Sequence, residues 1–280
     1  TIMMAAMYTT YNVVNNSYSQ VTDRAKISRS GRDMVGMLMR DIRMAGFKYF
    51  FGTNSLGIAS QDNLQYVGVN SSIDDSHDPI IVIKNKLGYG IGDTLDGSGL
   101  TTEKNAEDDL CCDRIHIVYG DFNQNDVAQP YKRYRVTYYA QPRSNGDDRY
   151  YGVYKTKDSW IQTSLDSTGS WRDDCTECYR GELIRDHLVD MEFIVFDKQG
   201  RIINPPPRPD NSTRKDLYNI RVVDVRLTFR SKKEFFRFDA SNDKPRLVKG
   251  LGNRTREFLD RFLRDSVVVS VHTRNIGDGV

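Results

Sequence analysis

The first 30 residues contain neither proline nor glycine, the two residue types that most readily end a helix. The chain also has no P-loop, no G-x-G-x-x-G and no H-E-x-x-H motif, so it carries no common signature of phosphate, dinucleotide or zinc-protease chemistry. Its histidines are far apart in the sequence and lie beside no nucleophile motif: His77, His116, His187 and His272. These absences argue against an enzyme.

Two other things are scarce: an excess of charge of one sign, and long apolar runs. The 40 basic and 38 acidic residues leave a formal net charge of +2, which indicates no nucleic-acid partner. The apolar run from Ile2 to Met7 is far shorter than the roughly 20 residues that cross a bilayer. No cofactor or metal is indicated by the composition.

Residues 1–46 are predicted to form one uninterrupted helix that Gly46 ends. A rod of about 45 residues would be roughly 67 Å long at ~1.5 Å per residue. Apolar residues cover every face of its first two turns and then follow one stripe in steps of three and four. We predict that these residues pack against partner helices: Ile2, Met3, Met4, Met7, Tyr11, Val14, Tyr18, Val21 and Ala25.

The second half of this helix is basic on one side and apolar on the other. Segment 23–48 contains seven basic residues and three acidic ones, Asp23, Asp33 and Asp41, so its local excess of positive charge is +4. The apolar positions resume after Gly31 with the spacing of a helix that packs on its own globular part. The predicted contacts with that part are Val35, Leu38, Ile42 and Ala45.

Alternating apolar and polar residues predict several strands after the helix. In segment 222–231, Val223, Val225, Leu227 and Phe229 would face one way, and charged or polar residues the other, as in a half-buried strand. The same pattern recurs around residues 115–119, 134–138, 189–195 and 267–271. The fold class is therefore α+β, a long N-terminal helix followed by a mainly antiparallel β-sheet head with long loops.

The four cysteines form two local pairs, Cys111 with Cys112 and Cys175 with Cys178. Structural disulfides, free thiols and a metal site all remain open, although adjacent cysteines suit a tetrahedral zinc site poorly. We favour disulfides that join Cys111 or Cys112 to Cys175 or Cys178 across strands. The loop 121–126 begins like a calcium loop, but Asp126 and Lys132 replace the required glycine and glutamate.

Several segments resemble one family. MAAMYTTY, DRAKISRSGRDMVGMLMRDIRMAGF and VVVSVHTRN are similar to the PilW-type minor pilins of type IV pilus assembly, which are related to the J-type pseudopilins of type II secretion. The similarity is dense over residues 1–51 and returns at 113–121, 188–200 and 222–231. The most specific segment is RDIRMAGF, residues 40–47.

This resemblance implies a pilin-like domain organisation and an assembly function. Residues 1–46 would be the pilin helix, truncated at its start because the charged leader and the first mature residues are missing, and residues 47–280 the head. The resemblance implies a minor subunit that primes a pilus or occupies its tip. A secretion pseudopilin, an adhesive head and a major pilus subunit are the alternatives.

Partners and location also follow only from the resemblance. Other pilin subunits would be the partners in the filament, and the inner membrane would hold the chain before assembly. The site would be the periplasmic face of that membrane and then the surface pilus of a Gram-negative bacterium. Without the missing segment, residues 2–7 do not themselves indicate insertion.

Overall fold

The protein is a long helix followed by an antiparallel sheet. A computed structural model describes residues 2–47, 50–53, 59–61, 78–85, 111–122, 131–143, 150–161, 170–204, 214–234, 246–252, 254–258 and 260–276. The helices are α1 (Ile2–Met44) and α2 (Arg214–Leu217). The strands are β1 (Phe50–Thr53), β2 (Ala59–Gln61), β3 (Ile80–Ile83), β4 (Arg114–Phe122), β5 (Tyr131–Pro142), β6 (Tyr151–Ile161), β7 (Ser170–Arg172), β8 (Tyr179–Phe196), β9 (Val222–Glu234), β10 (Arg246–Lys249), β11 (Thr255–Phe258) and β12 (Phe262–His272).

Helix α1 is continuous, as the sequence predicts, and its C-terminal end is fixed to the sheet. Gly46 has φ of 72°, the left-handed conformation that commonly terminates helices, which confirms its predicted role. Its amide donates to the carbonyl of Val118 on β4 at 2.8 Å. The amide of Phe47 donates to the carbonyl of Met44 at 2.9 Å and closes the last turn.

The described residues form an eight-stranded main sheet in the order β12-β9-β8-β6-β5-β4-β3, with β7 paired to β6. Every neighbouring pair in it is antiparallel. Helix α1 lies mainly over β12 and β9. The hairpins β1-β2 and β10-β11 are separate two-stranded sheets. The predicted α+β class with an antiparallel sheet is confirmed.

The core lies between the second half of α1 and one face of the sheet. The helix contributes Val35, Leu38, Ile42 and Ala45, which are buried, as are Ile27 and Met34. The alternating apolar residues of the predicted strands supply the other side. They include Ile115, Ile117, Val136, Tyr138, Met191, Phe193, Val195, Val223, Val225, Leu227, Phe229 and Val271.

On β9 the opposite face of the sheet is also buried, and there the prediction of a half-buried strand was wrong; in β12, the strand predicted at 267–271, Val268 and Ser270 are exposed. Thr228 is fully buried, and Arg226 and Arg230 nearly so. The loop of the β10-β11 hairpin lies across β8, where Arg254 contacts Asp190 at 3.0 Å and the amide of Leu251 donates to Glu192 at 2.7 Å. Charged residues on this face are covered because another layer of the chain supplies their partners.

Arg230 is covered in a different way. Its guanidinium lies over two aromatic rings, 3.9 Å from the centre of Phe262 and 4.7 Å from the centre of Tyr150. Such stacking lets an arginine of β9 be buried, since the ring faces attract the cation.

The cysteines pair locally, which corrects the expected bridges across strands. Cys111 is bonded to Cys112 and Cys175 to Cys178, at sequence separations of 1 and 3. The first pair is buried where β4 begins, and the second lies in the partly exposed turn between β7 and β8. Each bridge therefore lies within one short stretch of the chain, and neither joins two strands.

Two glycines of α1 allow a prediction about the contact between helix and sheet. A Cβ at Gly31 would lie 2.9 Å from Cγ2 of Val267, whereas at Gly36 it would meet nothing within 4 Å. We expect Gly31→Leu to destabilise the protein by about 1–3 kcal/mol through overpacking. The matched variant Gly36→Leu should be neutral or stabilising by up to about 1 kcal/mol, since leucine favours a helix more than glycine does. Urea unfolding of both variants measures the difference, and equal midpoints would contradict it.

Candidate assembly surface

The first half of α1 presents an apolar surface to solvent. Val13 is 46% exposed, and the other described large apolar side chains of this half are between 62% and 79% exposed: Met3, Met4, Met7, Tyr8, Tyr11, Val14, Tyr18 and Val21. Ala25 is exposed as well, while the side chain of Ile2 lies outside the described part of the structure. We call Met7, Tyr11, Val14, Tyr18, Val21 and Ala25 the apolar stripe.

The head does not bury this part of the helix. No side chain from Met3 to Lys26 is buried, and the first buried one is Ile27. The stretch of 24 residues corresponds to roughly 36 Å of helix at ~1.5 Å per residue. None of the described helices has a segment long and apolar enough to cross a membrane. A long helix is normally stabilised by burying its apolar face, and here that face is uncovered.

The apolar stripe lies on the side of the rod that points away from the head. The helix-to-head contacts Ile27, Met34 and Leu38 lie on the opposite side, roughly 140–180° around the helix axis from Ala25 at ~3.6 residues per turn. The residues predicted for packing against partners and those predicted for packing against the head therefore separate into two surfaces of one helix.

A buried polar contact fixes the rotation of α1 on the sheet. Asp41 Oδ2 accepts a hydrogen bond from the Tyr138 hydroxyl of β5 at 2.6 Å and lies 2.8 Å from Nζ of Lys155 on β6. Helix and sheet are thus joined by a charged hydrogen-bonded group in addition to apolar packing. A rotation of the helix would break this contact, so Asp41 contributes, together with the apolar packing, to the direction in which the apolar stripe points.

The protonation states of Tyr138 and Lys155 favour their contacts with the Asp41 carboxylate. Burial raises the pKa of Tyr138 above its ordinary value, and the Asp41 carboxylate raises it further, so the phenol keeps its proton and donates. Burial lowers the pKa of Lys155, but its hydrogen bond to Asp41 and the carboxylate charge outweigh that effect and raise it overall. The lysine therefore stays charged.

Sequence reasoning missed this contact. Asp41 was counted only as one of three acidic residues, although it sits three residues after Leu38 and four before Ala45, on the buried side of the helix. A lone carboxylate among apolar positions of a helix is the signal that would have found it, because a buried charge requires a partner. Nothing in the local pattern indicated that the partners would be Tyr138 and Lys155.

His116 has the surroundings of a structural residue. Its Nδ1 lies 2.8 Å from the hydroxyl of Thr137, and the ring is 1% exposed, so no substrate reaches it. Burial lowers the pKa of His116 well below its ordinary value, and the nearby cations Arg135 and Arg114 lower it further. The ring is therefore neutral at physiological pH. His187 and His272 lie on β8 and β12, and His77 lies outside the described residues.

One group of potential metal ligands occurs among the described residues. Cys111, Cys112 and Asp190 place one donor atom each within 4.8 Å of one another. The two sulfurs are bonded to each other, and the Asp190 carboxylate accepts a hydrogen bond from Arg254. A disulfide sulfur lacks the thiolate charge that binds metal. Most of the loop that begins like a calcium site, residues 123–126, lies outside the described part.

Comparison with known proteins gives one similar fold. No protein-family model matches the sequence, and no curated protein matches it. A solved structure, a type IV-like pilin from Thermus thermophilus, is similar over 90% of this chain and 98% of its own, with 7% sequence identity and a TM-score of 0.38. At this level of similarity the comparison decides nothing about function.

Proposed function

We propose that the chain is a structural subunit of a type IV pilus. The observation that carries the proposal is the uncovered apolar half of α1, held away from a folded head. In water such a surface favours association with another apolar surface. Neighbouring subunits with helices of the same kind supply that surface.

The assembly would be a filament. In this filament each helix would pack against a neighbouring helix at a different height along the filament axis, so the part of the apolar stripe that contacts one neighbour would differ from the part that contacts the next. Contacts of this head-to-tail type do not close unless a rotation brings them into a ring, and they propagate into helical fibres. The head would then lie outside and the helices inside.

Within this proposal the specific role is that of a minor subunit that primes the filament or occupies its tip. The support is the similarity of residues 1–51 to PilW-type minor pilins. Before assembly the chain would reside at the periplasmic face of the inner membrane, and afterwards in a pilus on the cell surface. The two disulfides are compatible with such an exported location.

Sheared filaments test the proposal directly. Pili are removed from producing cells, and the amount of this chain is compared with that of the most abundant pilin by mass spectrometry. We expect this chain in the sheared fraction at a small fraction of the main subunit. Cells lacking the assembly ATPase serve as the control and should yield none of it.

The other outcomes separate the alternatives. Near-equal amounts would make the chain a main structural subunit. Retention in the envelope with none in sheared pili would contradict a pilus role and move the assignment to a secretion pseudopilin. Normal pilus numbers without the chain, together with lost attachment to surfaces, would assign the function to the head.

A further inference from the structure

The apolar stripe continues into a line of arginines. From Ala25, steps of four, three, four, four and three residues lead to Arg29, Arg32, Gly36, Arg40 and Arg43. The average step equals the helical period of ~3.6 residues. These residues therefore form a straight line along the helix, on the side away from the head. The four arginines are exposed, and we call them the arginine line.

The described part of the chain does not neutralise these charges. Arg29, Arg32 and Arg43 have no acidic partner among the described residues, and Arg40 has only Asp41, whose Oδ1 is 3.8 Å from its Nε. Asp41 is itself engaged by Tyr138 and Lys155. Like charges three or four residues apart on a helix repel each other, so the isolated chain carries a modest cost that an acidic partner would relieve.

A neighbouring helix of the same kind is a poor partner for these arginines. Residues 2–22 contain no charged side chain. Of the acidic residues of α1, Asp23 is 3.9 Å from Lys26 and Asp41 is buried, which leaves Asp33. A helix packed along the apolar stripe would therefore offer the arginines little negative charge.

A membrane surface fits the arginine line less well than a protein does. From Arg29 to Arg43 the line is roughly 21 Å long at ~1.5 Å per residue. The headgroup layer on each side of a bilayer is about 5–8 Å thick. A rod that entered the bilayer end-on through its apolar half would place only part of the arginine line in that layer.

We propose that the arginine line binds a carboxylate-bearing surface on the head of the adjacent subunit. This inference rests on the proposed filament, in which heads pack around the outer part of the helices. Arginine forks bind carboxylates in a defined geometry, so the contact would set the axial position of one subunit on the next. The apolar stripe gives the affinity, and the arginine line gives the register.

Cross-linking identifies the acidic partner. In the variant Arg32→Lys the positive charge stays and a primary amine is introduced, which a carbodiimide joins without a spacer to a carboxylate in direct contact. We expect filaments of this variant to yield a cross-link from position 32 to an aspartate or glutamate of a neighbouring head. Wild-type filaments, with arginine at that position, are the control for amines elsewhere.

Charge reversal measures what the contact contributes. We expect Arg29→Glu/Arg32→Glu to lower the amount of the chain in sheared filaments at least tenfold, with an unchanged melting temperature because both side chains are exposed. The control Lys232→Glu/Lys233→Glu makes the same charge change on exposed residues of the head and should leave the amount unchanged.

The outcomes distinguish this inference from the proposed function. If wild-type chain is absent from pili, the proposed function fails. If wild-type chain is present and the Arg29→Glu/Arg32→Glu variant is equally abundant, the arginine inference alone is overturned. Binding of wild-type chain to phosphatidylglycerol vesicles, lost in that variant while its incorporation is normal, would also overturn it and assign the arginines to lipid.

Discussion

We expect Val14→Asp to lower the amount of the chain in sheared filaments at least tenfold, while the head stays folded. Val14 is 62% exposed in the single chain, so the substitution disturbs no core contact. In a filament the same position would lie in an apolar helix bundle, where an unpaired carboxylate costs several kcal/mol. Mass spectrometry of sheared pili measures the loss, and the melting temperature of the purified chain checks the fold.

The position of the charge provides the control. Asn16 lies on the other side of the helix from the apolar stripe and is also exposed, so Asn16→Asp introduces the same charge two residues away. It should incorporate close to normally. If Val14→Asp and Asn16→Asp behave alike, the stripe does not determine packing, and filaments that contain Val14→Asp at the wild-type level would rule out the proposed contact.

The second large effect concerns the stability of the head. Asp113 is fully buried, and its carboxylate accepts bonds from Arg254 Nη2 at 2.6 Å, Lys84 Nζ at 2.7 Å and the amide of Phe193 at 2.9 Å. We expect Asp113→Ala to destabilise the protein by about 3–5 kcal/mol, because it leaves charged and polar donors buried without their acceptor. At about 2–4 °C per kcal/mol the melting temperature should fall by roughly 6–20 °C.

An exposed ion pair is the matched comparison. Glu177 lies 3.3 Å from Lys157, and its side chain is 58% exposed. Solvent screens such a pair, so Glu177→Ala should cost less than about 1 kcal/mol. Thermal unfolding of the two variants side by side gives the answer. Similar small shifts for both would mean that water replaces the lost carboxylate at Asp113.

The sequence was sufficient for elements whose pattern repeats. Helix α1 could be predicted because its apolar steps and Gly46 act locally, and β4, β5, β8, β9 and β12 could be predicted because their residues alternate. β6 escaped notice because Lys155 and Lys157 occupy positions that face the helix side. Each places its amine near an aromatic ring, 5.3 Å from the centre of Tyr138 and 4.1 Å from that of Tyr134. Such a contact depends on which strand becomes the neighbour.

The other features depend on contacts between residues that are distant in the sequence. Arg254 is far in sequence from Asp113 and Asp190, and no local pattern indicates that a hairpin brings them together. The burial of the second sheet face was missed for the same reason, since it depends on that hairpin and, at Arg230, on the rings of Phe262 and Tyr150. The cysteine pairing was missed because we expected each bridge to join two strands. Bonds between cysteines that are one or three residues apart do not depend on which strands are neighbours. The residues of the apolar stripe could be named from the sequence because their helical spacing is a local pattern.

The short disulfides have a practical consequence for producing the protein. A disulfide stabilises a fold mainly by restricting the unfolded chain. Bridges at sequence separations of 1 and 3 close very short loops, so they restrict the unfolded chain little. Neither bridge ties one distant strand to another. The order of the strands is therefore encoded in packing and hydrogen bonds, and recombinant expression in a reducing cytoplasm can yield a correctly threaded head.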